Sequence, residues 1–302
     1  MARTADDTWG PASGVGMTAT FGAAARALAT ATGVLNDPFA EQLVRAAGVP
    51  DFTRMVDDQR YADDDRDHET IGGLITRLAA HTRFLDEYLA AAGRAGVRQV
   101  VLLGSGLDTR PFRLWWPPGT TVYEIDQPDV IDFKTTVLQG LGAELNTHRR
   151  AVGVDLRRDW LTALQRVGFD SAQPTVWIAE NLFIGFLPPD GQNRLLHQLT
   201  AASAPGSLFA GDHLTSAMSW DQLGLGLDLD GLLYRGEFRP VPSYLADCGW
   251  QVVERDATDL FTAIGMGAHL RGTPVDDGIT PSYVTATRSA GPGAGSGWNA
   301  GA

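Results

Sequence analysis

The stretch VVLLGSGLDTRPFRLWWPPGTTVYEID, which ends at Asp126, constrains the fold more than any other part of the chain. Its first four residues form an apolar run without alternation, which is typical of a central parallel strand covered on both faces. Gly104 and Gly106 follow, and because neither carries a Cβ atom, the backbone can turn tightly and approach a ligand. A second strand, residues 121–125, ends in Asp126, roughly twenty residues after the glycines, where a carboxylate can accept both ribose hydroxyls. This order predicts a site for a nucleoside-bearing cofactor.

The glycine loop distinguishes between cofactors. A dinucleotide fingerprint needs G-x-G-x-x-G before a long helix, whose amide groups and dipole meet a pyrophosphate. Here Thr109 occupies the third glycine position, and Asp108 adds a carboxylate, which repels anions and attracts cations. S-adenosylmethionine has a sulfonium, an α-amino group and no phosphate, so it fits these residues best. A nicotinamide-dependent oxidoreductase is the alternative.

Four segments carry a family resemblance: LGSGLDTRPFRL from Leu103, YEIDQPDVIDFK from Tyr123, VDLR from Val154 and AENLFIGFLPP from Ala179. Weaker matches in GMTATFGAAARA, LNDPFAEQLV and YVTATR extend it over nearly the whole chain. Together they resemble the leucine carboxyl methyltransferase-like S-adenosylmethionine-dependent methyltransferases, in particular their actinobacterial branch. The resemblance implies a methyltransferase with a class I, Rossmann-like fold.

Helix and strand patterns alternate along the rest of the chain. Strand patterns cover residues 148–152, 175–179, 207–213, 250–254 and 282–286, and helical patterns cover residues 18–30, a segment after Asn36, 68–92, 129–141, 159–167, 188–202 and 243–248. The alternation predicts an α/β fold with a mostly parallel sheet, helices on both faces and ligands beyond the carboxyl ends of the strands. We expect an N-terminal helical cap (1–95), a Rossmann-like methyltransferase core (96–288) with an insertion over the active site (215–240), and a disordered tail (289–302).

The strand ends supply the predicted cofactor contacts. The resemblance implies that Gly104 packs against the cofactor, that Asp126 holds the ribose, that Asp155 with Leu156 contacts the adenine, and that Glu180 lies near the methionine amino group. Carboxylates also suit the ribose hydroxyls, the adenine amino donor and an ammonium on chemical grounds. The predicted cofactor-binding residues are His81, Arg83, Gly104, Ser105, Gly106, Asp108, Asp126, Gln127, Asp155, Leu156, Glu180 and Asn181.

Each acid also has a structural alternative. Asp126 and Asp155 can cap the helices that follow them, and Glu180 can pair with a neighbouring helix. Asp108 can form a hydrogen bond within its own loop.

Two departures from the family pattern affect the site. Relatives often carry Arg-Thr-Arg before the first strand, where the first arginine binds the cofactor carboxylate; this chain has His81, Thr82 and Arg83. A histidine offers one charge-assisted hydrogen bond at most, and only while protonated. Arg83 is the alternative residue for binding the cofactor carboxylate. Because His81 departs from the family pattern, a catalytically silent S-adenosylmethionine-binding protein is a further alternative. Asn181 stands where glycine is common, and Phe186 where tyrosine is common, which indicates a different acceptor.

The acceptor determines whether a general base is needed. A carboxylate is ionised at neutral pH and needs none, whereas a hydroxyl needs a base, for which His213, next to Asp212, is the candidate. The alternative for His213 is a buried, hydrogen-bonded position at a strand end. The resemblance favours O-methylation of a carboxylate or hydroxyl of a small molecule or peptide terminus, and the predicted substrate contacts are Phe183, Phe186, Trp220 and Tyr234.

Composition limits the partners. The chain has 302 residues and a net charge of −12, which disfavours nucleic acid and anionic membranes as partners. It has no apolar run of membrane-spanning length and no signal sequence, and its single Cys248 cannot form an internal disulfide, so we expect a soluble, cytoplasmic protein. The acidic run DDQRYADDDRDHE lacks the ligand spacing of a calcium loop, so we expect a solvated connector and no metal. The sequence also allows a homodimer.

Overall fold

The computed structural model describes residues 3–4, 6–58, 69–213, 230–266 and 282–289. Within them one sheet contains all seven strands that the sequence predicts: β1 (Gln99–Leu103), β2 (Thr121–Asp126), β3 (His148–Gly153), β4 (Thr175–Phe183), β5 (Leu208–His213), β6 (Trp250–Arg255) and β7 (Ser282–Arg288). Their order is β3-β2-β1-β4-β5-β7-β6. The first five strands pair in parallel, and β7 is antiparallel to β5 and β6. The prediction of a mostly parallel sheet is confirmed.

The described helices are α1 (Gly16–Ala31), α2 (Ala40–Ala47), α3 (Pro50–Asp57), α4 (Glu69–Arg94), α5 (Arg110–Arg113), α6 (Pro128–Gly140), α7 (Trp160–Arg166), α8 (Pro189–Ala201), α9 (Val241–Asp247) and α10 (Ala257–Ala263). The sequence analysis missed α3 and α10. Both helices are only about two turns long. Each has a start signal: Pro50 occupies the first helical position of α3, and the side chain of Asp256 accepts from the backbone N–H of Asp259 at the start of α10.

Two element boundaries differ from the predicted ones by more than two residues. Helix α2 begins at Ala40 and not beside Asn36, because Asp37 forms a turn by accepting from the backbone N–H of Phe39. Strand β4 continues four residues beyond the predicted end at residue 179. The polar side chains of Glu180 and Asn181 conceal this extension in the sequence.

The sheet core is formed by side chains that alternate between the two faces of β1. Val101 and Leu103 pack with the buried indole rings of Trp160 and Trp177 on one face. Val100 and Leu102 face the opposite way, toward Leu85 and Leu89 of α4. Because both faces are covered, the central strands present only their ends to a ligand.

The N-terminal helices form a separate apolar cluster above those strand ends. Phe21 and Leu28 of α1 pack with Phe52 of α3, and Ile184 and Phe186, which follow β4, join the same cluster. Helix α1 also contacts α2 and α4. Helices α1 to α4 fall within the segment predicted as a cap (1–95), and their apolar side chains pack against the loop after β4.

Parts of the predicted organisation lie outside the described residues. They include most of the acidic run, most of the insertion predicted at 215–240, and the tail after residue 289. Of the insertion, the structure describes residues 230–240, which begin with a 3₁₀ turn at Asp230–Leu232. Among the described helices, none is long and apolar enough to cross a membrane.

Candidate cofactor-binding and active site

One cavity opens at the carboxyl ends of β1, β2, β3 and β4, beneath helices α1 and α4. It contains about 1310 Å³ of empty space, including its open mouth. The sequence-predicted residues that line it are Gly104, Ser105, Gly106, Asp108, Asp126, Gln127, Asp155, Leu156, Glu180, Asn181 and Phe186. The strand-end residues, which are far apart in sequence, thus meet around a single space.

The glycine loop is held against β2 and α1. Gly104 and Gly106 have φ angles of 63° and 46°, in the left-handed region that a side chain disfavours. A Cβ atom on Gly106 would lie 2.8 Å from the Cβ of Ala19 in α1. The backbone N–H of Ser105 donates to the carbonyl of Ile125 at 2.9 Å. Glycine is therefore required at Gly106 both by conformation and by the close approach of the cap.

Asp126 connects the glycine loop to the second strand end. Its Oδ2 accepts from the backbone N–H of Gly106 at 2.7 Å, and its Oδ1 accepts from the N–H of Gln127 at 2.7 Å. Burial raises the pKa of Asp126. Each carboxylate oxygen keeps a second lone pair, so both remain able to accept from ribose hydroxyls. Asp126 is not the N-cap of α6; that position is Gln127, which makes no side-chain capping hydrogen bond.

Asp155 is held by its neighbour Arg157. Its Oδ1 accepts from the backbone N–H of Arg157 at 2.7 Å, and its Oδ2 accepts from Arg157 Nη2 at 2.6 Å and from Gln127 Nε2 at 2.7 Å. Burial alone would raise the pKa of Asp155, but the hydrogen bonds from Arg157 lower it overall. The capping alternative does not hold, because Asp159 caps α7 by accepting from the N–H of Thr162.

A cluster of buried charges forms the opposite end of the cavity. The guanidinium of Arg110, only 1% exposed, donates to Glu180 Oε2 at 2.7 Å, to Asp108 Oδ2 at 2.5 Å and to Asp86 Oδ1 at 2.7 Å. Asp86 also accepts from Arg113. Asp108 and Glu180 therefore share one cation, and this end of the cavity carries excess negative charge, which suits an ammonium or a sulfonium.

Both lining carboxylates of this cluster are ionised at neutral pH. Burial alone would raise the pKa of Asp108 and Glu180, but the charge of Arg110 lowers both, that of Asp108 to about 2. Glu180 Oε1 also accepts from the hydroxyl of Thr82 at 2.5 Å. The alternative in which Glu180 pairs with a neighbouring helix is thus observed, and the same carboxylate still lines the cavity.

The sequence analysis missed two arginines. Arg110 belongs to the segment LGSGLDTRPFRL but was not interpreted as a partner for the strand-end acids. Arg26 is the one basic side chain among the described residues that line the cavity. Its Nε donates to Asp37 Oδ2 at 2.8 Å and its Nη2 to the carbonyl of Leu107 at 2.7 Å, which hold it beside the glycine loop. A basic residue on a helix does not by itself indicate a binding site, so the sequence did not predict that Arg26 lines the cavity.

The predicted carboxylate clamps, His81 and Arg83, do not line the cavity. His81 is 2% exposed, with its ring 4.8 Å from that of Tyr283 and its Nδ1 3.7 Å from Asp212 Oδ1. Burial lowers the pKa of His81 to about 4, so the ring is neutral at pH 7. Arg83 lies on the outer surface of α4, where its Nε donates to Glu87. Arg26 is better placed than either residue to meet a carboxylate.

Three further predicted residues lie outside the cavity lining. His213, the predicted base, is buried with its Nε2 3.1 Å from Glu254 Oε1 on β6, as its structural alternative proposed. Phe183 packs against Phe209 in the sheet core, so it is not available to a substrate. The hydroxyl of Tyr234 accepts from Arg157 Nη1 at 2.9 Å. Trp220 lies outside the described residues.

The N-terminal segment closes the side of the cavity that Asp155 lines. Trp9 lines the cavity, and its ring contacts two guanidinium groups, 4.8 Å from that of Arg3 and 5.1 Å from that of Arg157. Arg157 also donates to Asp7, and Arg3 donates to the carbonyl of Leu232 at 2.9 Å. These contacts connect the chain start to the loop after β3 and to the described end of the insertion.

The sheet order, the antiparallel seventh strand and the cavity at the strand ends define a class I methyltransferase fold. Two solved structures share it at a TM-score of 0.53: a "putative methyltransferase" from Thermobifida fusca YX, 18% identical, with 89% of this chain and 94% of that chain covered, and a DUF574 family protein from Streptomyces avermitilis MA-4680, 16% identical, with 82% and 96% covered. At these identities the likeness concerns the fold alone.

The family is shown by sequence. The family model "Leucine carboxyl methyltransferase" matches residues 19–200. A protein of Mycobacterium avium (strain 104) named "Putative S-adenosyl-L-methionine-dependent methyltransferase" is 54% identical over 91% of this chain and 98% of its own length. A Mycobacterium tuberculosis (strain H37Rv) protein with a name of the same form is 48% identical over 88% and 82%. The chain belongs to the leucine carboxyl methyltransferase family and is an S-adenosylmethionine-dependent methyltransferase, as the sequence predicted.

Proposed function

We propose that the protein methylates an oxygen atom, in the first place a carboxylate, of a small molecule or peptide terminus. The observation that carries this proposal is the makeup of the cavity wall. Among the described residues that line the cavity, none is a histidine, lysine, tyrosine or cysteine. A carboxylate is already ionised at neutral pH and needs no general base, so such a wall can serve a carboxylate acceptor directly.

The cavity residues fit the cofactor group by group. Asp126 has lone pairs for the ribose hydroxyls, and the excess negative charge of Asp108 and Glu180 suits the ammonium and the sulfonium. Arg26 would bind the methionine carboxylate. Asp155 and Leu156 would face the adenine. When bound, S-adenosylmethionine supplies an electrophilic methyl group.

The task left to the protein is alignment and exclusion of water. Methyl transfer is an in-line displacement: the acceptor oxygen forms a bond to the methyl carbon while the carbon–sulfur bond breaks, and the sulfonium becomes a neutral thioether. Ile184, Phe186 and Leu187 line the cavity beyond β4, opposite Phe21 and Leu78 of the cap. This apolar wall would keep water from the sulfonium and hold the hydrocarbon part of the acceptor.

A methyl-labelling experiment tests this proposal. The protein is incubated with S-adenosylmethionine labelled in the methyl group and with separate panels of carboxylic acids, free-carboxyl peptides, phenols and amines. We expect labelled product from carboxylates, and mild alkali should release the label as methanol because esters hydrolyse and ethers do not. At a limiting concentration of S-adenosylmethionine, Glu180→Gln should strongly lower turnover, whereas Glu87→Gln, on the exposed surface of α4, should not. Label recovered only on nitrogen would contradict O-methylation.

A further inference from the structure

The pairing of β4 with β5 is irregular at the point where β4 reaches the cavity. Ala179 pairs with Gly211 and Phe183 pairs with His213, so residues 180–182 of β4 face the single residue Asp212 of β5. The strands are tightly packed just before this point, because a Cβ atom on Gly211 would lie 2.7 Å from the carbonyl oxygen of Ala179. Such a bulge turns side chains out of their regular direction. Here it presents residues 180–182 to the cavity.

The bulge contains a residue in an unfavourable backbone conformation. Asn181 has a φ angle of 55°, and among the described residues it is the one non-glycine residue with a positive φ. A Cβ atom disfavours this left-handed conformation, although asparagine tolerates it better than most residues. The neighbouring Glu180 depends on this turn for its direction, because the two residues are adjacent in the bulge. A contact from another part of the fold must therefore hold Asn181 in this backbone conformation.

Asp212 is bonded directly to this turn. Its Oδ1 accepts from the backbone N–H of Asn181 at 2.6 Å, and its side chain is 1% exposed and does not line the cavity. His81 on α4 lies 3.7 Å away, and Tyr283 on β7 is its partner in the sheet register. Its Oδ2 is buried without a hydrogen-bond partner in the described part of the chain. Burying a carboxyl group with so few partners costs free energy. Its hydrogen bond to Asn181 gives it a role at this position.

We propose that Asp212 is a positioning residue that holds Asn181 in the left-handed conformation and so fixes the Glu180 carboxylate in the cofactor cavity. A carboxyl oxygen accepts from a backbone N–H both when the acid is ionised and when it is protonated, so this hydrogen bond can hold Asn181 in either state. Asp212 acts through the backbone of Asn181 and touches neither cofactor nor acceptor. The inference concerns cofactor binding, so it does not depend on which acceptor the enzyme uses.

A double-mutant cycle on cofactor affinity tests the inference. S-adenosylmethionine is titrated calorimetrically into the wild type, Asp212→Ala, Asn181→Gly and the double variant. We expect Asp212→Ala to weaken binding about tenfold in the wild-type background and by less than about threefold in the Asn181→Gly background. Glycine enters the left-handed region without restraint, so Asp212 has little left to do once residue 181 is glycine. A purely structural defect would weaken binding equally in both backgrounds.

The outcomes that overturn the inference are equally definite. Wild-type affinity in Asp212→Ala, or an equally large loss on adding Asp212→Ala to Asn181→Gly, would show that Asp212 does not act through Asn181. Should Asp212→Ala fail to fold, the comparison moves to the intact Asp212 background, where Asn181→Ala should bind about fivefold more weakly than Asn181→Gly. Equal affinities of those two variants would overturn the inference as well. Asp129→Ala, an exposed site on α6, serves as the matched control.

Discussion

The two ends of the cavity are built in different ways. At the end that we propose binds the methionine part of the cofactor (the methionine end), Arg110 is buried and joins carboxylates from α4, from the glycine loop and from β4, at sequence separations of 24, 2 and 70 residues. At the end that we propose binds the nucleoside (the nucleoside end), Asp126 and Asp155 are held by backbone N–H groups and by Arg157, two positions along the chain from Asp155. The methionine end therefore depends on buried ion pairs centred on one arginine, whereas the nucleoside end depends on hydrogen bonds from backbone N–H groups, Gln127 and Arg157, with the N-terminal segment above them.

The largest expected effect lies at the methionine end. Arg110→Ala removes the cation shared by Asp108 and Glu180, and leaving buried carboxylates unpaired should lower the free energy of unfolding by about 3–5 kcal/mol. Urea unfolding measures the loss. Arg83→Ala, which breaks an exposed ion pair with Glu87, should cost less than about 1 kcal/mol. Similar losses in the two variants would show that the buried ion pairs of Arg110 contribute no more to stability than an exposed pair.

A second prediction concerns the pH dependence of stability behind the methionine end. Burial raises the pKa of Asp212 from 3.8 to about 7. Native Asp212 therefore binds more protons than the unfolded chain between these values, and its contribution to stability is present below pH 3.8 and is lost as the pH rises through about 7. The groups that face it are His81 on α4, Glu180 on β4 and Tyr283 on β7.

Asp212→Asn provides the comparison for this prediction. Relative to the variant, the wild type should lose on the order of 2 kcal/mol of unfolding free energy between about pH 4 and about pH 7. Chemical unfolding at a series of pH values measures it. Parallel pH curves for the two proteins would show that Asp212 does not titrate in this window.

A third prediction separates the amino-acid part of the cofactor from its nucleoside. Arg26→Ala should weaken S-adenosylmethionine binding by about 2 kcal/mol, or roughly thirtyfold, because a charged hydrogen bond to the carboxylate is lost. Binding of 5′-methylthioadenosine, which lacks the carboxylate, should stay within about twofold of the wild type. Arg45→Ala, at an exposed site on α2, is the control. Equal losses for both ligands would mean that Arg26 supports the cavity and does not contact the carboxylate.

The smallest expected effect lies at the nucleoside end. Trp9→Ala removes an indole from the cavity lining and from between Arg3 and Arg157, and it should weaken both ligands by about 1 kcal/mol, or roughly fivefold. Trp115→Ala, at a site 73% exposed, should leave both affinities unchanged. A loss confined to S-adenosylmethionine would assign Trp9 to the methionine end instead.

The same contrast explains how much of the site could be predicted from the sequence. Asp126 and Asp155 follow recognisable strands at regular spacing, so their convergence follows from the rule that parallel strands end at one edge. Arg26 and Arg110 gave no such signal, because their positions depend on how α1 and α5 pack onto the sheet. His81 was placed in the site by its motif, whereas in the folded chain it faces Tyr283 and Asp212.

The fold was more predictable than the site. All seven strands were predicted, although β3 (His148–Gly153) carries little apolar sequence, and among the strands the clearest miss is the polar extension of β4 beyond Ala179. That extension includes the bulge at Asn181, whose conformation depends on Asp212 of the neighbouring strand and so could not be predicted from local sequence.

The most direct test titrates S-adenosylmethionine and 5′-methylthioadenosine into Glu180→Gln and Asp126→Ala. With Glu180 at the methionine end and Asp126 at the nucleoside end, Glu180→Gln should weaken S-adenosylmethionine about thirtyfold and 5′-methylthioadenosine by less than about twofold. Asp126→Ala should weaken both ligands by similar factors, because both carry the ribose. Equal losses of both ligands in Glu180→Gln, or a loss of S-adenosylmethionine alone in Asp126→Ala, would contradict this assignment of the two ends.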